Sequence, residues 1–289
     1  MQTMLPKVSV VTITWGHEKF IEQTLDSIFS QKYEGPIEII LSNDKSPDKT
    51  DEIINKYLLI NNIPKNFEVK YTNHENNMGS MKNFIWSLQQ ATGKYIAICD
   101  GDDYWTDSCK LQKQVDFLER NEDFQMIFTN CKEVSLNGKI NNLLKKISES
   151  KSYSDIDIFT NWIIPTSTVL YKNNFDKKDW NIIKDKKVFF GDLVLFLINA
   201  NKGKIYGLID ETSIYRIHKE SLTNNEKSIV YYEKLFFHLE YLSVIYNNKY
   251  FSYSKSKLKQ QSYKNFRYFI KKFNIKSIIY FMKYIKYNN

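Results

Sequence analysis

Over the first hundred positions, apolar residues come as short β-branched runs, each followed by a stretch with helical spacing. Val8 to Thr14 (VSVVTIT) predicts a buried parallel strand. From His17 to Gln31, residues Phe20, Ile21, Leu25, Ile28 and Phe29 recur at the helical period, which makes a first βα unit. Ile37 to Leu41, Phe67 to Tyr71 and Tyr95 to Cys99 predict three more strands, and Ser80 to Thr92 a helix. This alternation argues for an α/β fold, a doubly wound and mainly parallel sheet. Ligands of such sheets bind outside the carboxyl ends of the strands. The residues to inspect are therefore Thr14 to His17, Asn43 and Asp44, Asn73 to Gly79, and Asp100 to Asp103.

After Thr129 the rhythm weakens, and Asn137 to Ser154 is polar and loop-like. Val169 to Tyr171, Gly191 to Asn201 and Lys204 to Ile209 predict an extension of the same sheet with one more helix. From Ser228 onward the chain has no Pro or Gly and predicts a C-terminal helical tail. The expected division is an α/β domain over 1–225 and a basic, aromatic tail over 226–289.

Composition narrows the class. With 289 residues, 42% hydrophobic and 26% charged, the chain has the make-up of a folded soluble protein. Cys99, Cys109 and Cys131 show no metal-binding spacing and suit a reducing compartment, and no apolar leader pattern precedes Val8, so a cytoplasmic location is expected. The net charge of +8 is concentrated: Phe251 to Asn289 holds ten Lys and Arg and no Asp or Glu, leaving 31 basic against 33 acidic residues elsewhere. That distribution argues against nucleic acid as the partner of the α/β part.

The sharpest chemistry lies in Asp100-Gly101-Asp102-Asp103, directly after the Tyr95 to Cys99 strand. Three close carboxylates repel one another unless a cation or proton relieves them. Hard oxygen ligands suit Mg²⁺ or Mn²⁺ shared with substrate phosphates. No P-loop and no G-x-G-x-x-G follows the first strand, so backbone amides are not the obvious diphosphate cradle and a metal would do more of that work; a solvated acidic turn is the alternative reading of the same residues.

At this point the chain resembles the inverting family 2 glycosyltransferases of the GT-A fold, of the bacterial surface-polysaccharide type. The resemblance rests on VSVVTITWGHE (Val8 to Glu18), SNDKSPDKT (Ser42 to Thr50), HENNMGSMKN (His74 to Asn83) and GKYIAICDGDDYWTDSCKLQKQVDFLE (Gly93 to Glu119), and more loosely on Phe190-Gly191-Asp192 and Tyr215 to His218. It implies transfer of a sugar from a nucleotide-diphospho-sugar to a glycan or lipid-linked acceptor, with inversion. Thr14, Trp15 and Glu18 then fall beside the nucleotide, and a Trp at a strand end serves packing as readily as base stacking. Asp44 matches the position that accepts the uracil imide N–H, which favours UDP while leaving dTDP and GDP open; Asn43 departs from the usual Asp. Asp102 matches the metal ligand, Asp100 the ribose and metal shell, and Asp103 a supporting role. His218 is the candidate second ligand, Asn77 and Gly79 lead a helix whose amides can face the diphosphate or sugar, and Asp192 matches the catalytic base.

Two alternatives stand beside this reading. A nucleotidyltransferase would need a Gly-rich, Arg-bearing loop after the first strand, where Thr14-Trp15-Gly16-His17-Glu18 stands instead. An inactive sugar-nucleotide-binding scaffold would have no use for Asp192. The tail interleaves aromatic and aliphatic residues with lysines, and its apolar stretch Ile278 to Met282 is far below the ~20 residues that span a bilayer. It can lie on the inner leaflet of a membrane, or pack against the catalytic domain or a second subunit as a homodimer element.

Overall fold

The computed structural model describes residues 5–135, 139–144, 147–218 and 229–288. The chain divides into two units, Met1–Asp176 with Phe196–Ile217, and Lys177–Leu195 with His218–Asn289. The first unit opens with β1 (Val8–Thr14), α1 (Ile21–Phe29), β2 (Ile37–Asn43), α2 (Thr50–Ile60), β3 (Phe67–Asn73), α3 (Ser80–Gln90) and β4 (Tyr95–Ile98). There follow β5 (Tyr104–Trp105), α4 (Lys110–Arg120), β6 (Phe124–Ser135), β7 (Ile140–Leu144), β8 (Lys151–Tyr153), α5 (Asp155–Asn161), β9 (Leu170–Lys172) and, later in the chain, β10 (Lys204–Ile217). The strands form one sheet in the order β3-β2-β1-β4-β9-β6-β10-β5, with β7 on β6 and β8 on β10. Pairing is parallel from β3 to β4 and between β6 and β10, and antiparallel where β9 joins β4 and β6.

Side-chain alternation shows why helices cover both faces. Val8, Val10, Ile37, Ile39, Tyr95 and Ala97 share one core cluster with Ile21, Leu25 and Ile28 of α1, Ile54 of α2, and Leu111 and Val115 of α4. The intervening Val11, Ile40, Ile96 and Ile98 are just as buried and point the other way, and α3 packs on β1 and β2 with Phe84, Ile85 and Leu88 buried. Each such burial contributes ~1.5–3 kcal/mol, so three apolar side chains hold α1 down more firmly than any helix propensity could.

Two expectations are corrected. The helix anticipated from His17 begins at Ile21, because the N–H groups of Gly16, His17 and Glu18 go to Ser46, Thr50 and Asp48 and fix a turn there. The polar stretch Asn137 to Ser154 carries β7 and β8; these are strands by pairing with β6 and β10, too short to show a period of their own.

In the second unit stand α6 (Lys177–Ile183), the start of α7 (Gly191–Lys202), α8 (Ile229–Ile245), α9 (Phe251–Ile270) and α10 (Lys276–Asn288). The tail is helical as expected, and Asn274 divides α9 from α10: its N–H returns to Phe269 O at 3.0 Å, and its Oδ1 accepts the Lys276 N–H at 2.9 Å. A seven-residue repeat fixes α10 to α8. Tyr280 and Lys276 bond Glu233, and Tyr287 and Lys283 bond Glu240.

Candidate functional site

The chain runs from β1 outward to β2 and β3, then returns to place β4 on the other side of β1. The carboxyl ends of β1 and β4 are therefore the topological switch point, where an open α/β sheet binds its ligand. Thr14 to Glu18 leave one end and Asp100 to Asp103 the other. Gly101 N–H donates to Ile13 O at 2.9 Å, and a Cβ at Gly101 would fall 2.7 Å from the Thr14 side chain, so only glycine lets the acidic turn lie this close to β1. Gly16, at φ +73°, supplies the reversal that sends the chain from β1 into α1.

Thr14 is buried and its Oγ1 lies 3.1 Å from His17 Nδ1, which leaves Nε2 directed at Asp102, 3.9 Å from Oδ2. Holding one ring nitrogen in this way is how proteins orient an imidazole toward a metal. Asp103 is almost wholly buried. Burial, then the neighbouring Asp102 and Asp100 carboxylates, push its carboxyl well above the ordinary range, against the pull of the Arg216 N–H, which donates to Oδ1 at 3.1 Å. The Arg216 guanidinium bonds the Asp102 carbonyl and Gln23, and lies 4.4 Å from the Tyr104 ring centroid and 5.2 Å from that of Phe20. This arginine clamps the acidic turn from β10.

The β2 end completes the crevice. Asp44 N–H donates to Thr14 O at 3.0 Å, and its carboxylate accepts from the amides of Met78 at 2.8 Å and Gly79 at 2.9 Å. Asn77 Nδ2 donates to Asp44 O, so Asn77 and Gly79 are bound to Asp44. Glu18 Oε2 accepts the Lys49 N–H at 3.1 Å and ties this turn to the start of α2, while Trp15 is 45% exposed and available to stack. Asn43 is buried and bonds Ser46 and Tyr71.

The first unit thus brings together Thr14, Trp15, Glu18, Asp44, Asn77, Gly79, Asp100, Asp102 and Asp103 at neighbouring strand ends. Asp192 and His218 belong to the second unit. Asp192 sits in the first turn of α7, its Oδ1 2.8 Å from Leu193 N, and His218 is buried and peptide-bonded to Ile217, the last residue of β10. Sequence reasoning named neither His17 nor Arg216 as site residues. His17 lay within the polar stretch after β1, but the return of β10 to the acidic turn is a non-local pairing that no local pattern records.

The sequence model of the family described as Glycosyl transferase family 2 matches residues 9–178, more than half of the chain. The chain belongs to this family. Among its relatives, an uncharacterized glycosyltransferase of Haemophilus influenzae is 28% identical over 86% of this chain and 94% of its own length. The putative teichuronic acid biosynthesis glycosyltransferase TuaG of Bacillus subtilis is 29% identical over 78% of this chain and 85% of its own. An uncharacterized protein of Mycobacterium tuberculosis is 30% identical over 74% of this chain, which spans 60% of that relative's length. Among solved structures, Staphylococcus aureus TarS 1-349 in complex with UDP-GlcNAc superposes with a TM-score of 0.60 at 19% identity, covering 90% of this chain and 81% of that one. The mannosyltransferase PcManGT of Pyrobaculum calidifontis, in complex with GDP-Man and Mn²⁺, gives 0.57 at 16%, covering 82% and 64%. These two likenesses show the GT-A-type fold.

Proposed function

We propose that this chain transfers a sugar from a nucleotide-diphospho-sugar, with UDP favoured, to the hydroxyl of a glycan or lipid-linked acceptor, with inversion, in surface-polysaccharide synthesis on the cytoplasmic side of the membrane. The observation that carries the reading is the meeting of His17 and Asp102 at the β1/β4 switch point. Family 2 membership, the UDP-GlcNAc bound to TarS and the GDP-Man and Mn²⁺ bound to PcManGT support it. A free buried Cys99 and Cys131 suit a reducing compartment.

The proposed metal ligands of the first unit are Asp102 and His17, and His218 keeps the proposed ligand role that the family resemblance implies. One carboxylate and two imidazoles suit Mn²⁺ better than Mg²⁺, which prefers oxygen alone. When bound, the ion supplies a positive charge that stabilises the leaving diphosphate. Asp44 keeps lone pairs beyond those given to Met78 and Gly79, and these are proposed to receive the uracil imide, with Trp15 on the base. Asp192 is the proposed base: it takes the proton of the acceptor hydroxyl as that oxygen bonds the anomeric carbon and the bond to the diphosphate breaks.

The test separates binding from turnover. Asp192→Asn is expected to keep nucleotide-sugar affinity while release of UDP falls by ~10²–10⁴-fold, the usual share of general-base catalysis. Near-normal turnover in this variant removes Asp192 from the mechanism. Release of no nucleoside diphosphate by the parent from any UDP-, dTDP- or GDP-sugar, with membrane acceptor present, counts against transfer itself.

A further inference from the structure

Among the described residues, the second unit leaves one helix face exposed while its opposite face is fixed. On α10, Tyr280 and Tyr287 are buried and bonded to Glu233 and Glu240 of α8. Turned away from them, Ile275, Ile278, Ile279, Met282 and Ile285 recur at helical spacing, and all are exposed, Ile275 at 77% and Met282 at 66%. At the α9–α10 turn Phe273 is 101% exposed, a large aromatic with no packing at all. The exposed Lys271 and Lys272 immediately precede it, and Lys286 lies beside the far end of the row.

We propose that this face docks on an anionic bilayer, with α10 lying in the headgroup region and Phe273 and Ile275 entering first. Charge decides between occupants. From Phe251 onward the chain has ten basic residues and no acidic one; Lys276 and Lys283 are met by Glu233 and Glu240 of α8, and the exposed Lys271 and Lys272 beside Phe273 keep a positive surplus, so a second copy would bring like charge against like, whereas an anionic lipid surface supplies counter-charge. Each Lys or Arg near such a surface raises the partition coefficient roughly fivefold. Apolar depth comes from a row about eleven residues long, which at ~1.5 Å per residue is roughly half the hydrocarbon thickness and therefore lies flat. Among the described residues no helix is long and apolar enough to cross a membrane. The docking stands independently of the transfer reaction, since no turnover is needed to observe it.

Flotation of the full chain with phosphatidylcholine vesicles, with and without phosphatidylglycerol, tests it. The parent is expected to float with the anionic vesicles at low salt, and to sink with neutral vesicles or at high salt. Ile279→Asp with Met282→Asp, and separately Lys271→Glu with Lys272→Glu, should each lower the bound fraction by about tenfold or more. Both pairs are solvent-exposed, and unchanged melting curves verify that the fold is intact. Failure of the parent to float, flotation equal on neutral and anionic vesicles, or variants that float like the parent would overturn the proposal. So would a parent dimer, by light scattering, that Ile279→Asp with Met282→Asp makes monomeric while flotation persists, since the face would then belong to a second copy.

Discussion

Gly79 donates its backbone N–H to Asp44 Oδ2 at 2.9 Å, while the other oxygen of the same carboxylate holds the Met78 amide. The residue proposed to read the base is thus also the one that ties the start of α3 to the end of β2. Asp44→Asn can accept only one of the two amides and turns an NH₂ toward the other. Stability should fall by ~1 kcal/mol, the worth of one lost hydrogen bond at a part-buried position where Gly79 N–H still has Asn77 Oδ1 as acceptor, and affinity for UDP should fall further than affinity for free Mn²⁺. Urea unfolding and titration calorimetry check the two effects separately. Unchanged UDP affinity in a destabilised variant would leave Asp44 a purely structural role.

Arg216 is the clamp on the acidic turn, through its backbone N–H to Asp103 and its guanidinium to the Asp102 carbonyl. Arg216→Lys keeps a cation but loses the planar fork and its stacking on Tyr104. A loss of ~1–3 kcal/mol is expected, together with weaker metal binding, because Asp102 is no longer held. A variant with parental stability and metal affinity would show that the turn is rigid without the clamp.

Lys110 is wholly buried, 4.5 Å from the Trp105 ring centroid and 2.8 Å from Gln114 Oε1, and burial pulls its ammonium down to about 7. In the unfolded chain it keeps its proton to about pH 10.4, so between these values the unfolded state binds more protons and stability rises with pH. Below about pH 7 both states are charged and the burial penalty is present in full. The contribution rises by at most ~1.4 kcal/mol per pH unit across the window. Lys110→Met should be more stable than the parent at neutral pH, with the difference shrinking toward pH 9. Urea curves that stay parallel for the two proteins from pH 7 to 9 would contradict this.

The parallel half of the sheet was legible because β1, β2 and β4 are buried on both faces, which forces continuous β-branched runs that no surface helix shows. The acidic turn was legible because three carboxylates within four residues repel one another unless a cation or a proton relieves them. What the sequence did not reveal depends on distant pairing. β5 is two residues long and exists through Ser213 and Ile214 of β10, and β8 exists through Ile205 to Gly207. Arg216 reaches Asp102 across 114 residues of chain, so its role belongs to topology and has no local signal. The division of the tail at Asn274 could be read, since a short polar residue between two apolar periodic segments competes for backbone hydrogen bonds and stops a helix.

The central claim is that Asp102, with His17 and His218, holds a divalent metal through which the nucleotide diphosphate is bound. Thermal unfolding of the full chain with UDP, in Mn²⁺ and in EDTA, addresses it most directly. At about 100 times its dissociation constant, UDP should stabilise the parent by ~2.7 kcal/mol in Mn²⁺ and by far less in EDTA. Asp102→Ala should abolish the difference while leaving the melting temperature without ligand near the parental value. Equal stabilisation of the parent by UDP with and without metal would contradict the account.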